Sequence, residues 1–145
     1  MTTILATLDR MASDTFISDG SRGAKIYRGP GYLLGEACED TFYSLRLVNW
    51  VLDGQRGPVP EARPGEDHEG TLLLLRPGQL SVLDWRGVEM PIDNPYFGVG
   101  TGAPFGLGAL AAGATLEQAM TIAAYYDGGT KPPFHFVDLP RRRRK

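Results

Sequence analysis

Residues 4–8 are apolar and β-prone, Asp9-Arg10 reads as a tight turn, and 11–17 return as a second strand. After a polar loop, residues 25–28 and 32–35 predict a hairpin turning at Gly29-Pro30-Gly31. From 39 to 52 the period becomes helical: Phe42, Leu45, Val48 and Leu52 make one stripe, which Tyr43, Leu47, Trp50 and Val51 widen. So broad an apolar face predicts a helix packed on a sheet and also on something else, such as another subunit. Residues 54–70, with Pro58, Pro60 and Pro64 among charges, read as a loop. Strands follow at 71–75, 79–85, 88–92 and 96–100. Pro104 suits the first position of a helix that stops at Gly113. Thr115-Leu116-Glu117-Gln118 matches a capping box, opening a helix that runs to about Tyr126 and closes at Gly128-Gly129. Residues 134–137 are a last strand. Grouped strands separated by grouped helices favour a layered α+β fold over a parallel βαβ one.

Composition narrows the class. A chain of 145 residues can bury roughly 70% of its unfolded surface as one domain without disulfides or metals. A net charge of -2 gives no overall pull towards nucleic acid or anionic membrane. The single cysteine, Cys38, fits a reducing compartment, and the first residues lack the basic leader and apolar core of a secretory signal. With no run long enough to cross a bilayer, a cytoplasmic protein is expected. The terminal Arg141-Arg142-Arg143-Arg144-Lys145 breaks the charge balance, and residues 140–145 read as a disordered solvated tail. It lacks interleaved aromatics to stack bases, so nucleic acid is not an expected partner.

Several features invite chemistry. Gly98-Val99-Gly100-Thr101-Gly102-Ala103-Pro104-Phe105-Gly106 follows a strand and opens a helix, but its spacing departs from a dinucleotide-binding G-x-G-x-x-G. The plainer reading is a tight strand-to-helix turn whose amides face a pocket. His68 and His135 have no second ligand at metal spacing, so no metal is expected. Cys38, near a helix start, reads either as a small buried residue or as a thiol of lowered pKa. Thr2 is the sharpest candidate. If Met1 is removed, it carries a hydroxyl and a free α-amine that can serve as its base, with a pKa of about 7.7–8.0 when unperturbed.

These pieces together resemble the proteasome β-subunit family of N-terminal nucleophile hydrolases, most closely its small HslV-like members of bacteria and phages. Thr2-Thr3-Ile4 is similar to the mature HslV start, Ala12-Ser13-Asp14 to the family's second-strand motif, and Lys25-Ile26 to its active-site lysine and following β-branched residue. Gly35-Glu36-Ala37-Cys38 resembles the Gly-x-Ala-Gly turn before the first helix. Val99-Gly100-Thr101-Gly102 with 107–113 resembles the Gly-Ser-Gly turn and its small-residue helix, and Tyr126-Asp127-Gly128-Gly129 the segment bearing a later aspartate. The matches run in order from Thr2 to about Leu139, covering a single domain over 1–139.

The resemblance implies a four-layer αββα sandwich of two packed, mainly antiparallel sheets flanked by helices. It implies a threonine-type endopeptidase in a self-compartmentalised homo-oligomeric ring, acting on peptides or unfolded proteins in a bacterial or phage-infected cytoplasm. An unfoldase ATPase is the candidate feeding partner, and no cofactor is needed. Thr2 would be the nucleophile, Lys25 would tune its acidity and Asp14 would pair with Lys25. Thr101 and Asp127 would hold the amine and its water, and the Cys38 amide would serve the oxyanion. Three departures stand out: Cys38 replaces a glycine, Glu36 puts a carboxylate near the expected specificity pocket, and Thr101 replaces a serine. The alternative is a proteolytically inactive structural or decoy subunit, which needs no removal of Met1.

Overall fold

The computed structural model describes residues 2–17, 22–38, 41–67 and 69–141. Sequence readings that rest on Met1, His68 or the basic residues 142–145 lie outside them.

Two antiparallel sheets form the centre. One contains β1 (Thr3–Thr7), β2 (Arg10–Ser13), β8 (Tyr96–Gly100) and β9 (His135–Asp138), in the order β8-β1-β2-β9. The other orders β3 (Ile26–Gly29), β4 (Tyr32–Cys38), β5 (Gly70–Arg76), β6 (Gln79–Asp84) and β7 (Glu89–Ile92) consecutively as a meander. Helix α1 (Thr41–Leu52) covers the outer face of the second sheet, while α2 (Ala103–Ala111) and α3 (Leu116–Tyr126) cover that of the first. This is the expected αββα sandwich.

Period-two alternation explains the layers. In β1, Ile4 and Ala6 point between the sheets, and Leu5 points at α2 and α3. In β5, Leu73 and Leu75 enter the inter-sheet core, while Leu72 and Leu74 meet Leu47, Val48 and Val51 of α1. A strand covered on both faces has no solvent side, so β1 and β5 read as continuous apolar runs. The capping box forms as predicted: Thr115 accepts from the Gln118 amide, and the Gln118 side chain accepts from the Thr115 amide.

Two expectations are corrected. The second strand ends at Ser13 rather than 17: the Asp14 amide still donates to the Thr3 carbonyl at 3.2 Å, but the Thr3 amide donates to the Asp14 carboxylate instead of its carbonyl, which closes the ladder. The buried row of α1 is Tyr43, Leu47, Val48 and Val51, whereas Phe42 and Leu45 are 74% and 36% exposed. The row that buries is the one facing Leu34, Leu72, Leu74 and Leu83 of the sheet. Among the described residues, 53–67 and Glu69 form no helix or strand, as the prolines predict, and no helix is long and apolar enough to cross a membrane.

Candidate active site

Thr2 immediately precedes β1 and is buried. The turn after β8 wraps around it: the Thr101 amide donates to the Thr2 carbonyl at 2.8 Å, and the Gly102 amide donates to Thr3 Oγ1 at 3.0 Å. This closeness dictates the glycines. A Cβ on Gly100, whose φ is +97°, would stand 1.8 Å from the Thr2 carbonyl oxygen, and one on Gly102 would stand 2.2 Å from Thr3 Oγ1. Gly98 and Gly106 serve packing, since a Cβ at either would strike the Leu5 side chain, at 2.6 and 2.4 Å. The glycine-rich stretch is therefore the tight strand-to-helix turn, with its amides spent on the start of β1 rather than on a nucleotide.

On the other side lies a buried ion pair. Asp14 Oδ1 accepts from the Thr3 amide at 3.0 Å and from Lys25 Nζ at 2.9 Å. Lys25 Nζ also donates to the Phe16 carbonyl at 2.6 Å. An ammonium has three protons, so one remains beyond these two bonds. Asp14 Oδ2 and Ser13 Oγ, both buried, have no hydrogen-bond partner among the described residues.

A third group, which sequence reasoning missed, completes the arrangement. Thr130 is buried, and its hydroxyl donates to Asp127 Oδ2 at 2.5 Å while lying 2.5 Å from Thr3 Oγ1. Because the carboxylate takes the Thr130 proton, Thr3 must be the donor to Thr130. The order of donation runs from the Gly102 amide through Thr3 and Thr130 to Asp127. The Thr101 hydroxyl donates to the same Asp127 oxygen at 2.8 Å. Burial alone would raise the Asp127 pKa, but these hydroxyls, with the Gly129 amide, hold it below the ordinary carboxylate value. The sequence did hold a signal: a hydroxyl residue three positions after Asp127, in a loop otherwise read only as a helix stop.

Thr2, Asp14, Lys25, Thr101 and Asp127 are thus joined through the backbone and side chain of Thr2-Thr3. Cys38 closes β4 opposite Gly70, half-buried, with residues 39–40 beyond it outside the described ones. It has no bond to the Thr3–Thr130–Asp127 chain. His135 is exposed on β9.

No protein-family model matches the chain, and neither does any curated protein sequence. Solved structures do. Eukaryotic HslV from Trypanosoma brucei superposes with a TM-score of 0.73 at 19% identity, over 97% of this chain and 100% of that one. BPH from Thiobacillus denitrificans, in complex with epoxomicin, gives 0.67 at 16% identity, over 97% and 99%. The helical assembly of the Anbu complex from Pseudomonas aeruginosa gives 0.69 at 14% identity, over 94% and 80%. Across nearly its whole length, the chain has the proteasome β-subunit-like fold of HslV, BPH and Anbu.

Proposed function

We propose that the chain is a threonine-type peptidase whose nucleophile is Thr2, exposed by removal of Met1. The observation that carries this reading is the enclosure of Thr2-Thr3 by two polar clusters, Asp14–Lys25 on one side and Thr101–Asp127–Thr130 on the other. The Asp14–Lys25 pair, with both side chains buried, is costly to take out of water.

In the first step, the free amine of Thr2 takes the hydroxyl proton through a water, and Oγ bonds to the peptide carbonyl carbon. The carbonyl oxygen becomes an oxyanion held by the Cys38 amide. The charge of Lys25, tied to the Thr3 amide through Asp14, lowers the pKa of both hydroxyl and amine. The ammonium then protonates the leaving nitrogen, the C–N bond breaks and an ester remains on Thr2. A water deprotonated by the same amine attacks the ester, releases the acid and restores Thr2. Thr101 and Asp127 orient the amine and its water. The working form is a homo-oligomer enclosing its sites, supplied with unfolded chains by an ATPase.

A Thr2→Ala variant tests the assignment. Peptide hydrolysis falls to background while native mass spectrometry records the same oligomer as wild type. Equal hydrolysis by the variant would sink the proposal, since alanine offers no oxygen nucleophile.

A further inference from the structure

Charge is divided unevenly along this chain. A net charge of -2 that includes the five cations of 141–145 leaves -7 on residues 1–140. So acidic a body repels polyanions, and the surface that suits its basic segment is itself an acidic one. Acid is densest between α1 and β5, where Asp53, Glu61, Glu66, Asp67 and Glu69 outnumber Arg56 and Arg63.

Side chains of α1 pin that loop in place, although it forms no helix or strand. The Trp50 indole donates to the Gly57 carbonyl at 3.2 Å. Arg46 donates to the Glu61 carbonyl at 3.2 Å and pairs with Glu66. The Tyr43 hydroxyl lies 3.3 Å from the Pro60 carbonyl and 3.1 Å from that of Trp85. Between the loop and the β6–β7 turn lies a cleft of about 370 Å³, lined by Val59, Pro60, Glu61 and Ala62 on one side and by Trp85 and Arg86 on the other. Long irregular loops held in one shape commonly carry binding sites. This one suits a guanidinium. Trp85 is 41% exposed, and Glu61 has no ion pair among the described residues. Arg86 has its own charge met by Asp84 at 2.6 Å. Arginine is the side chain that uses an aromatic ring and a carboxylate together.

The basic segment falls short of the cleft in its own chain. Arg141 lines a different cleft, with Arg10 and Arg28, beside the turns that follow β1 and β3. The register sets Arg28 level with Leu33, Leu75 and Leu80, four residues and three strands away from Asp84. At about 3.3 Å per residue and about 4.8 Å per strand, the diagonal is about 20 Å, with packed layers across the path. Residues 142–145 add at most about 14 Å of backbone.

We infer that residues 141–145 of one copy dock in the Trp85–Glu61 cleft of a second copy. This rests only on the homo-oligomeric part of the reading above and not on the chemistry of Thr2. Because the two surfaces differ and lie at opposite ends of the sandwich, the contact is head-to-tail. Each copy offers both halves, and repetition gives a ring where the rotation closes.

Light scattering on three full-length proteins tests the contact: wild type, a loop variant (Glu61→Arg) and a tail variant (Arg142→Glu with Arg143→Glu). Wild-type self-association is expected to weaken by about tenfold or more between about 0.05 and about 0.5 M salt. At low salt, each variant alone shows a Kd for self-association about tenfold or more above wild type. An equimolar mixture of the two variants regains wild-type association, because the reversed tail of one meets the reversed loop of the other. Association that neither variant changes overturns the docking, and a loss in only one of them overturns the pairing of tail with cleft. Two losses that mixing does not repair overturn direct contact. A wild type that stays monomeric overturns the homo-oligomeric reading, and this inference with it. Labelling of Thr2 by epoxomicin is read separately and bears on the peptidase alone. Should a variant fail to fold, wild-type association indifferent to salt still overturns the proposal.

Discussion

Strand β2 carries an ion pair at each end, and the two are opposites. At its start, Arg10 bonds Glu117 of α3 and Asp138 of β9, with side chains 33%, 53% and 79% exposed. Just past its end, Asp14 meets Lys25 with exposures of 0% and 7%. The first is an ordinary surface network, screened by salt and expected to contribute little to stability. The second has been taken out of water, and the lost hydration opposes the gain in attraction. Because apolar side chains could fill that volume at least as stably, the Asp14–Lys25 pair is better explained by what it does to Thr2-Thr3. Charge placed by the fold at one end of the strand ties elements together; at the other, in the mechanism proposed above, it prepares a reacting group.

The sharpest way to break this comparison is to remove Lys25. Lys25→Met leaves Asp14 charged and buried, and chemical denaturation should show a loss of about 3–5 kcal/mol. Adding Asp14→Leu should recover most of that stability without restoring Thr2 reactivity. A single variant as stable as wild type would contradict the reading of this pair as buried and costly. Next comes Thr130→Val, which keeps the shape but removes the hydroxyl between Thr3 and Asp127; a loss of about 1–3 kcal/mol is expected. That change also returns the Asp127 carboxyl towards its ordinary pKa. A depressed carboxylate contributes stability above its unfolded-state pKa, lost as pH falls through the folded value. The variant should therefore lose less of its melting temperature on acidification than wild type does. The smallest effect belongs to Arg10→Ala, at under about 1 kcal/mol and shrinking further in high salt. A larger, salt-independent loss would show that packing of Arg10 over the Phe136 ring, 5.2 Å away, matters more than its charges.

Much of the fold could be read from the chain, because the twelve elements among the described residues differ in period and are punctuated by turn residues. Strands such as Gln79–Asp84 and the Thr115 capping box come from local chemistry, which a sequence displays directly. The face of α1 was not legible in the same way. Phe42 and Leu45 are as apolar as Leu47 and Val51, and only the position of β4 and β5 decides which row is buried. The site divides along a similar line. Thr2, Asp14, Lys25, Thr101 and Asp127 were found through motif order, which stands in for long-range contact. Thr130 was missed because its importance arises from a partner 127 residues away, Thr3, and threonine in a glycine-rich loop looks like surface. Glu36 was visible as a departure, but its place across from Lys25 emerges only once β3 and β4 are paired.

The central claim is that the enclosed Thr2 is a nucleophile with a free amine. Intact-mass measurement of the purified protein with epoxomicin tests it most directly. The expected result is a chain lacking Met1 that carries one adduct on Thr2, absent in Thr2→Ala. A chain that retains Met1 and gains no mass would contradict it, leaving the two polar clusters around a residue that does no chemistry.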